Sequence, residues 1–252
     1  MTRTIAVANQ KGGVAKTTTV HAIAAALVER GRSVLVVDLD PQASLTYSMG
    51  LVADELDQSL HDVMMGRAGI DDVLWESRGI DLVPSSIDLA GSEVHLITRT
   101  GREYVLDRAL RAVRERYDYV IIDCPPSLGI LTVNALTAAG EVLVPLQAEL
   151  LTRRGLEALL ETVSDVRLYT NPDLAVLGVV VTMYDSRTRL GKEILDRLHD
   201  HHGLRVLEPP VPRSVKVAES PGLGVSILTH ASTSRSAEAY RRLAAAIDVD
   251  ET

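Results

Sequence analysis

Three groups of residues in this 252-residue chain have types and spacings suited to chemistry. The first lies in Val7 to Val20, VANQKGGVAKTTTV. An apolar run, Ile5-Ala6-Val7-Ala8, gives way to Asn9-Gln10. Then come Lys11, Gly12, Gly13, Val14, Ala15, Lys16, Thr17 and Thr18, and an apolar helical pattern at Val20, Ile23, Ala24, Leu27 and Val28. Such a turn between strand and helix binds anions, because glycines let successive N–H groups converge and a helix N-terminus adds positive potential. Lys16 offers a point charge to the β- and γ-phosphates of a nucleotide, and the Thr17 hydroxyl a ligand for Mg²⁺. The other two groups are carboxylates that close apolar runs: Asp38 and Asp40 in DLDPQ, and Asp123 in DCPP. A carboxylate so placed holds Mg²⁺ through water. An apolar run ending in Asp is common by itself, and Asp40 equally suits the cap of a helix starting at Pro41. The glycine loop gives the three carboxylates their meaning.

The elements that must position these groups read as an alternating α/β chain. Continuous apolar runs at 5–8, 33–37, 119–122, 141–145 and 175–183, with a weaker one at 80–84, predict parallel strands covered on both faces. Helical patterns are expected at about 86–98, 101–116, 130–139, 152–168, 188–202 and 234–247, with short helices through 43–78 and an extended piece at 205–207. No linker, low-complexity run or repeat interrupts 1–252. The expected architecture is one doubly wound, mainly parallel α/β domain with its ligand at the C-terminal ends of the strands.

Composition narrows the function. Hydrophobic residues make up 46% of the chain and aromatics 3%, with no Phe, so the core must be aliphatic. A single Cys excludes a disulfide framework and any site needing several thiolates from one chain. No apolar run approaches the ~18 residues of a membrane span, and no signal segment precedes the first strand, so a cytoplasmic protein is expected. The net charge of −8 argues against nucleic acid on its face. Residues 185–242, however, hold ten Lys/Arg against seven Asp/Glu, a local +3 that leaves −11 elsewhere.

The loop departs from the standard P-loop, which wants glycine where this chain has Gln10 and Ala15. It resembles instead the deviant Walker A motif, KGGxGKTT, of the ParA/MinD family of ATPases, although Ala15 departs from that pattern too. Its methyl group, near the expected phosphate, bears on turnover more than on binding. Similarity to the ParA/Soj branch extends over nearly the full chain, through DCPPSLGILTVNAL, VLVPLQAELLTRRGLEALLETV, GVVVTMYDSRTRLGKEIL and VPRSVKVAESP. The resemblance implies an ATP- and Mg²⁺-dependent P-loop ATPase whose ATP-bound homodimer holds nonspecific DNA and is released by partner-stimulated hydrolysis. It implies Asp40 as the carboxylate positioning the attacking water, with Asp38 helping to order the Mg²⁺ shell. Lys11 would reach across the dimer to the other subunit's phosphates. Met183, Pro212 and Arg213 match positions near the adenine, and Arg187 and Lys216 match the DNA-holding surface. The implied partner resembles ParB, a centromere-binding protein with a basic tail, and the implied location is nucleoid-associated. The chain starts almost at its first strand, so the N-terminal helix-turn-helix of larger plasmid-type members is not expected.

Three other classes share part of this pattern. A membrane-associated regulator resembling MinD would need a basic amphipathic C-terminal helix, and this tail closes on acidic Ile247-Asp248-Val249-Asp250-Glu251-Thr252. Iron–sulfur relatives need cluster cysteines beyond Cys124. A ParA-like ATPase positioning another cargo shares every motif named here. Elsewhere, His199, His201 and His202 read as a solvated cluster, the arginines of 102–116 as an exposed helix with ion pairs, and Trp75 as an anchor of the 43–78 surface region.

Overall fold

The computed structural model describes residues 2–147, 152–187 and 203–248. Its centre is an eight-stranded sheet in the order β3-β4-β2-β5-β1-β6-β7-β8. Seven strands are parallel: β1 (Arg3–Val7), β2 (Val34–Asp38), β4 (Ile80–Val83), β5 (Tyr119–Asp123), β6 (Glu141–Gln147), β7 (Ala175–Thr182) and β8 (Val206–Leu207). The apolar runs become central strands because both faces of the sheet are covered. The two-residue period sends Ala6, Val37, Ile122 and Val144 to one face. There they meet α3 (Leu60–Met65), α5 (Leu89–Ile97), α6 (Val105–Leu110), α7 (Ile130–Ala138) and α8 (Thr152–Tyr169). Ile5, Val36, Ile121 and Leu143 face the other way, onto α1 (Lys16–Glu29) and α11 (Arg235–Asp248). The expected doubly wound α/β class holds.

After β1 the chain moves to β2 and β4, returns to β5, then continues through β6 and β7 on the far side of β1. The crevice where a doubly wound sheet takes its ligand therefore opens beyond the C-terminal end of β1. The glycine loop is there.

Three segments differ from expectation. The stretch 101–116 is not one helix but a 3-10 turn at Arg102–Tyr104, α6, and a second 3-10 turn at Arg114–Arg116. Asn134 of α7 is the reason. Its amide donates to the Arg102 carbonyl (2.8 Å) and accepts from the Leu106 N–H (3.1 Å), diverting backbone groups that a continuous helix would use. Asp107, nearly buried, then gathers Arg111 (2.6 Å) and Arg114 (3.4 Å).

Trp75 lies on an edge strand, β3 (Trp75–Ser77), antiparallel to β4. Its hairpin turns through Arg78 and Gly79, both at positive φ (54° and 79°), a turn hard to read when the first position is Arg. Residues 203–233 form short helices α9 (Val215–Glu219) and α10 (Ile227–His230) with a 3-10 turn between them. The helix expected at 188–202, with His199, His201 and His202, lies outside the described residues.

Candidate nucleotide site

The loop after β1 is braced from several directions. Asn9 accepts from the Lys11 N–H (2.9 Å) and donates to the Pro145 carbonyl of β6 (2.7 Å). Thr182, the last residue of β7, donates to the Val14 carbonyl (3.0 Å). Between these ties the chain turns through left-handed backbone at Gly13 (φ 73°) and Ala15 (φ 65°), and α1 begins at Lys16. Ala15 has a Cβ to clash in that conformation, at a cost of order 1–2 kcal/mol that glycine avoids. Strain of this kind persists where the surroundings over-determine the backbone.

Lys16 is nearly buried, and its ammonium donates to the Lys11 carbonyl (3.3 Å) across the loop. Burial pushes its pKa down, while the charges of Asp123 and Asp40 push it back up. Gly12, Gly13, Ala15, Lys16, Thr17, Thr18 and Asp40 all line one cavity of 460 Å³. Val14 turns into the core beneath it.

The three carboxylates differ in what surrounds them. Asp38 and Asp123 sit side by side in the register of β2 and β5, both fully buried. Asp38 is saturated: it accepts from the Thr46 N–H (2.8 Å), the Thr46 hydroxyl (2.7 Å) and the Asp40 N–H (3.2 Å). Burial raises its pKa against those bonds. Asp40 accepts from the Gln42 N–H (3.0 Å), and the Ser85 hydroxyl donates to its carbonyl (2.8 Å). The following helix, α2 (Ser44–Ser48), starts behind Ala43 in left-handed backbone, so Asp40 makes a local turn and does not cap it.

Asp123 is the exception. Neither of its oxygens has a hydrogen-bonding partner among the described residues. Burial pushes its pKa well up, as does the charge of Asp38. The Thr17 hydroxyl, a weak side-chain partner at most, and the charge of Lys16 pull it down. A buried orphan carboxylate costs several kcal/mol in a resting fold, and a cation is what such a group lacks.

Of the residues expected around a nucleotide base, Met183 adjoins Thr182 and its tie to the loop, while Pro212 and Arg213 line a cavity other than this cradle. Met183 follows β7 in left-handed backbone (φ 51°), and Tyr184 forms a lone bridge with Pro212. Pro212 and Arg213 line a second cavity, of 510 Å³, together with Arg187. Arg187 is exposed and pairs with Asp185 (2.9 Å); Lys216, on α9, pairs with Glu219 (2.9 Å). The structure brings the loop and the carboxylates together. It sets Pro212 and Arg213 beside Arg187 rather than beside Lys16.

Comparison with known proteins agrees with this geometry. Residues 2–176 match the AAA_31 family, described as an AAA domain. The sporulation initiation inhibitor protein Soj of Bacillus subtilis is 42% identical over 97% of this chain and 97% of its own. The chromosome partitioning protein ParA of Caulobacter vibrioides is 42% identical over 96% of this chain and 92% of its own. The chain belongs to the ParA/Soj family of ATPases. A crystal structure of cobyrinic acid a,c-diamide synthase from Mycobacterium smegmatis, with bound ADP and magnesium, is also similar: 50% identity, TM-score 0.88, covering 98% of this chain and 94% of that one.

The ParA/Soj loop is braced here by residues that the sequence alone does not single out. Thr46 lies eight residues past Asp38 and Thr182 ends a distant strand; only the fold brings either to the site. Asn9, two residues before Lys11, has a local signal, since Asn hydrogen-bonds readily to the backbone two residues on. His21, on the second turn of α1, lines the phosphate-side cavity and touches the Ser48 hydroxyl (3.2 Å). Burial depresses its pKa to about 4.

Proposed function

We propose that this ParA/Soj-family chain is an ATP-driven DNA-partitioning switch: two copies close on ATP, the closed pair holds DNA without sequence preference, and hydrolysis releases it. The observation that carries the nucleotide half is the pair of orphan oxygens on Asp123, buried beside Thr17 and Lys16 at the mouth of a glycine turn. The residues fit a divalent cation. Asp123, through water, and the Thr17 hydroxyl would hold Mg²⁺, which when bound offsets charge on the phosphates.

The chain's own residues supply alignment. Backbone N–H groups of the 12–17 turn and the start of α1 face the anion, Lys16 neutralises it, and Asp40 orients water at the rim. Asp38, with its oxygens taken by Thr46 and Asp40, acts through the Asp40 loop. Lys11, from a second copy, would add the charge that completes the site. Met183, Pro212 and Arg213 would take the base. Arg187 and Lys216 would meet DNA phosphates, exchanging exposed ion pairs of little net worth for a polyanion.

The name cobyrinic acid a,c-diamide synthase, borne by the M. smegmatis relative, denotes an amidation. Drawing the amide nitrogen from glutamine needs an accessible nucleophile, and Cys124 is fully buried with its thiol pKa pushed up by that burial. The apolar residues of α11, Ala237, Tyr240, Leu243 and Ile247, are already buried in the core, so that helix has no free apolar face to lay on a membrane. Partition at the nucleoid, stimulated by a ParB-like partner, is the reading we adopt.

The test is DNA retention with ATP, ADP or no nucleotide at two salt concentrations, on the native chain, Lys11→Ala and Arg187→Glu. The expected result is ATP-dependent, salt-sensitive retention, lost in Arg187→Glu while ATP-driven pairing persists, and lost in Lys11→Ala together with pairing. Retention that ignores nucleotide, or Lys11→Ala pairs on ATP, overturns the reading.

A further inference from the structure

A closed ring of buried hydrogen bonds grips Asp40 by both of its backbone groups. The Asp40 N–H donates to Asp38 Oδ1 (3.2 Å), and Asp38 Oδ2 accepts from the Thr46 hydroxyl (2.7 Å) and N–H (2.8 Å). The Thr46 hydroxyl oxygen accepts in turn from the Ser85 N–H (2.9 Å). The Ser85 hydroxyl donates to the Asp40 carbonyl (2.8 Å), and the ring closes. Asp38, Thr46 and Ser85 are fully buried. Asp40 alone of the four lines the cavity, where its Oδ1 accepts from the Gln42 N–H (3.0 Å).

The ring joins three parts of the chain: the loop after β2, the short helix α2, and the junction between β4 and α5. Local structure would not hold Asp40 without it. A helix of five residues does not sustain itself, and α2 has no side-chain cap. It starts behind Ala43 at φ 53°, a strained conformation that persists where the surroundings over-determine the backbone. The Thr46 hydroxyl has one proton, and the Asp38 carboxylate takes it, so a lone pair is left for Ser85. Apolar side chains at 46 and 85 would fill the same space. What a fully satisfied polar network adds is a single geometry, and here that geometry ends on the two peptide groups flanking the Asp40 side chain.

We propose that Thr46 and Ser85 are positioning residues for ATP hydrolysis, fixing the Asp40 backbone so that its carboxylate meets the attacking water. The inference rests on the reading of Asp40 as the group that orients that water. In the step served, the water oxygen bonds to the γ-phosphorus and the bond to the β,γ-bridging oxygen breaks. ADP keeps that electron pair; one water proton stays on the phosphate and the other passes to solvent. Neither Thr46 nor Ser85 lines the cavity, and both act through Asp40. Binding is left to the glycine turn and Lys16, so loosening the ring should lower kcat and spare KM.

Phosphate release, affinity for a fluorescent ATP analogue, and hydrogen exchange over residues 38–46 without nucleotide are measured on the full chain. The variants are Thr46→Val, which keeps the shape and removes the hydroxyl, Thr46→Ser, which restores it, Ser85→Ala and Asp40→Asn. In Thr46→Val, kcat is expected to fall at least about tenfold, and in Ser85→Ala about threefold or more, the scale of a small misplacement at the reacting centre. KM and analogue affinity should stay within about twofold in both, and Thr46→Ser should return kcat to within about threefold of native. Exchange over 38–46 should quicken about tenfold in Thr46→Val, before any chemistry occurs. Should Thr46→Val fail to fold, Ser85→Ala decides by its kcat and KM. The assignment falls if kcat and affinity drop together, if Thr46→Ser is no better than Thr46→Val, or if exchange is unchanged. It falls alone, with the reading of Asp40 standing, if Asp40→Asn is slow while Thr46→Val and Ser85→Ala keep the native kcat. If Asp40→Asn turns over ATP as the native chain does, that reading falls, and this inference with it.

Discussion

The phosphate cradle and the outer rim of the site are held in opposite ways. In the cradle, Asn9, Lys16, Asp38, Asp40, Thr46 and Asp123 are buried, and the loops that carry them are tied through Asn9, Thr46, Ser85 and Thr182, each bond spanning different elements. In the rim, residues 183–187 and 211–216 meet through one isolated bridge, Tyr184 to Pro212. The cations there, Arg187 and Lys216, are paired with acids two or three residues away on the surface. A cradle of the first kind is pre-organised for a transition state; a rim of the second kind exchanges partners at little cost. The contrast suits a switch that must grip one ligand tightly and let another go.

The largest effect that would break this comparison lies at Asp123. If the cradle is built around a missing cation, Asp123→Asn should lower ATP turnover at least ~100-fold, the scale of losing one electrostatic contact to the reacting phosphates. The same change should raise the stability of the nucleotide-free chain by about 1–3 kcal/mol, because a buried charge with no partner is removed. Urea unfolding and phosphate release check the two halves. A variant less stable than the native chain would mean that Asp123 is structurally satisfied.

How much of the cradle could be read in the sequence follows from how local each signal is. Lys16, Thr17 and the glycines announce themselves because anion binding by a turn needs only consecutive residues. Asp38 and Asp123 are legible as carboxylates closing apolar runs, but their roles diverge only in three dimensions: Thr46 saturates one, and no described residue saturates the other. The break at 101–116 was hidden because the decisive side chain, Asn134, lies about thirty residues away. The short helices after Pro212 lack strong periodicity, and the turn at Arg78-Gly79 sets an arginine where such a turn usually has Gly, Asn or Asp.

A second test separates cradle from rim by acid. His21 sits behind the cradle with its pKa depressed from 6.5 to about 4 by burial. The unfolded chain therefore binds a proton at this residue between pH 6.5 and 4 when the folded chain does not. Its contribution to stability is complete above pH 6.5 and is lost as pH falls toward 4, roughly 3 kcal/mol in all. In urea unfolding at pH 7 and pH 4.5, His21→Asn should lose less stability on acidification than the native chain, by about that amount. Equal losses would show that His21 is solvated in the folded protein.

A smaller change sharpens the picture of a cradle held under strain. Ala15→Gly should relieve the left-handed backbone at φ 65° and stabilise the chain by up to about 1 kcal/mol, offset in part by the extra freedom glycine has when unfolded. Turnover should rise several-fold if the methyl group crowds the phosphate, and stay level if strain is its only effect. A less stable glycine variant, by thermal melt, would mean that the loop is not held as described.

The smallest effect belongs to the rim. Asp185 accepts both the backbone N–H of Arg187 (3.0 Å) and its guanidinium, and its pKa is held near 2 by those bonds, so it stays charged across the physiological range. The pair lies at the surface, and Asp185→Ala should leave the melting temperature unmoved within error. Near Arg187 it removes one negative charge that a DNA phosphate must otherwise approach. Retention on DNA with ATP should therefore strengthen by about two- to threefold at low salt and by less at high salt, where screening mutes the change. Weaker retention would assign Asp185 the opposite part, holding Arg187 in the position that DNA requires, and the rim would then be pre-organised as the cradle is.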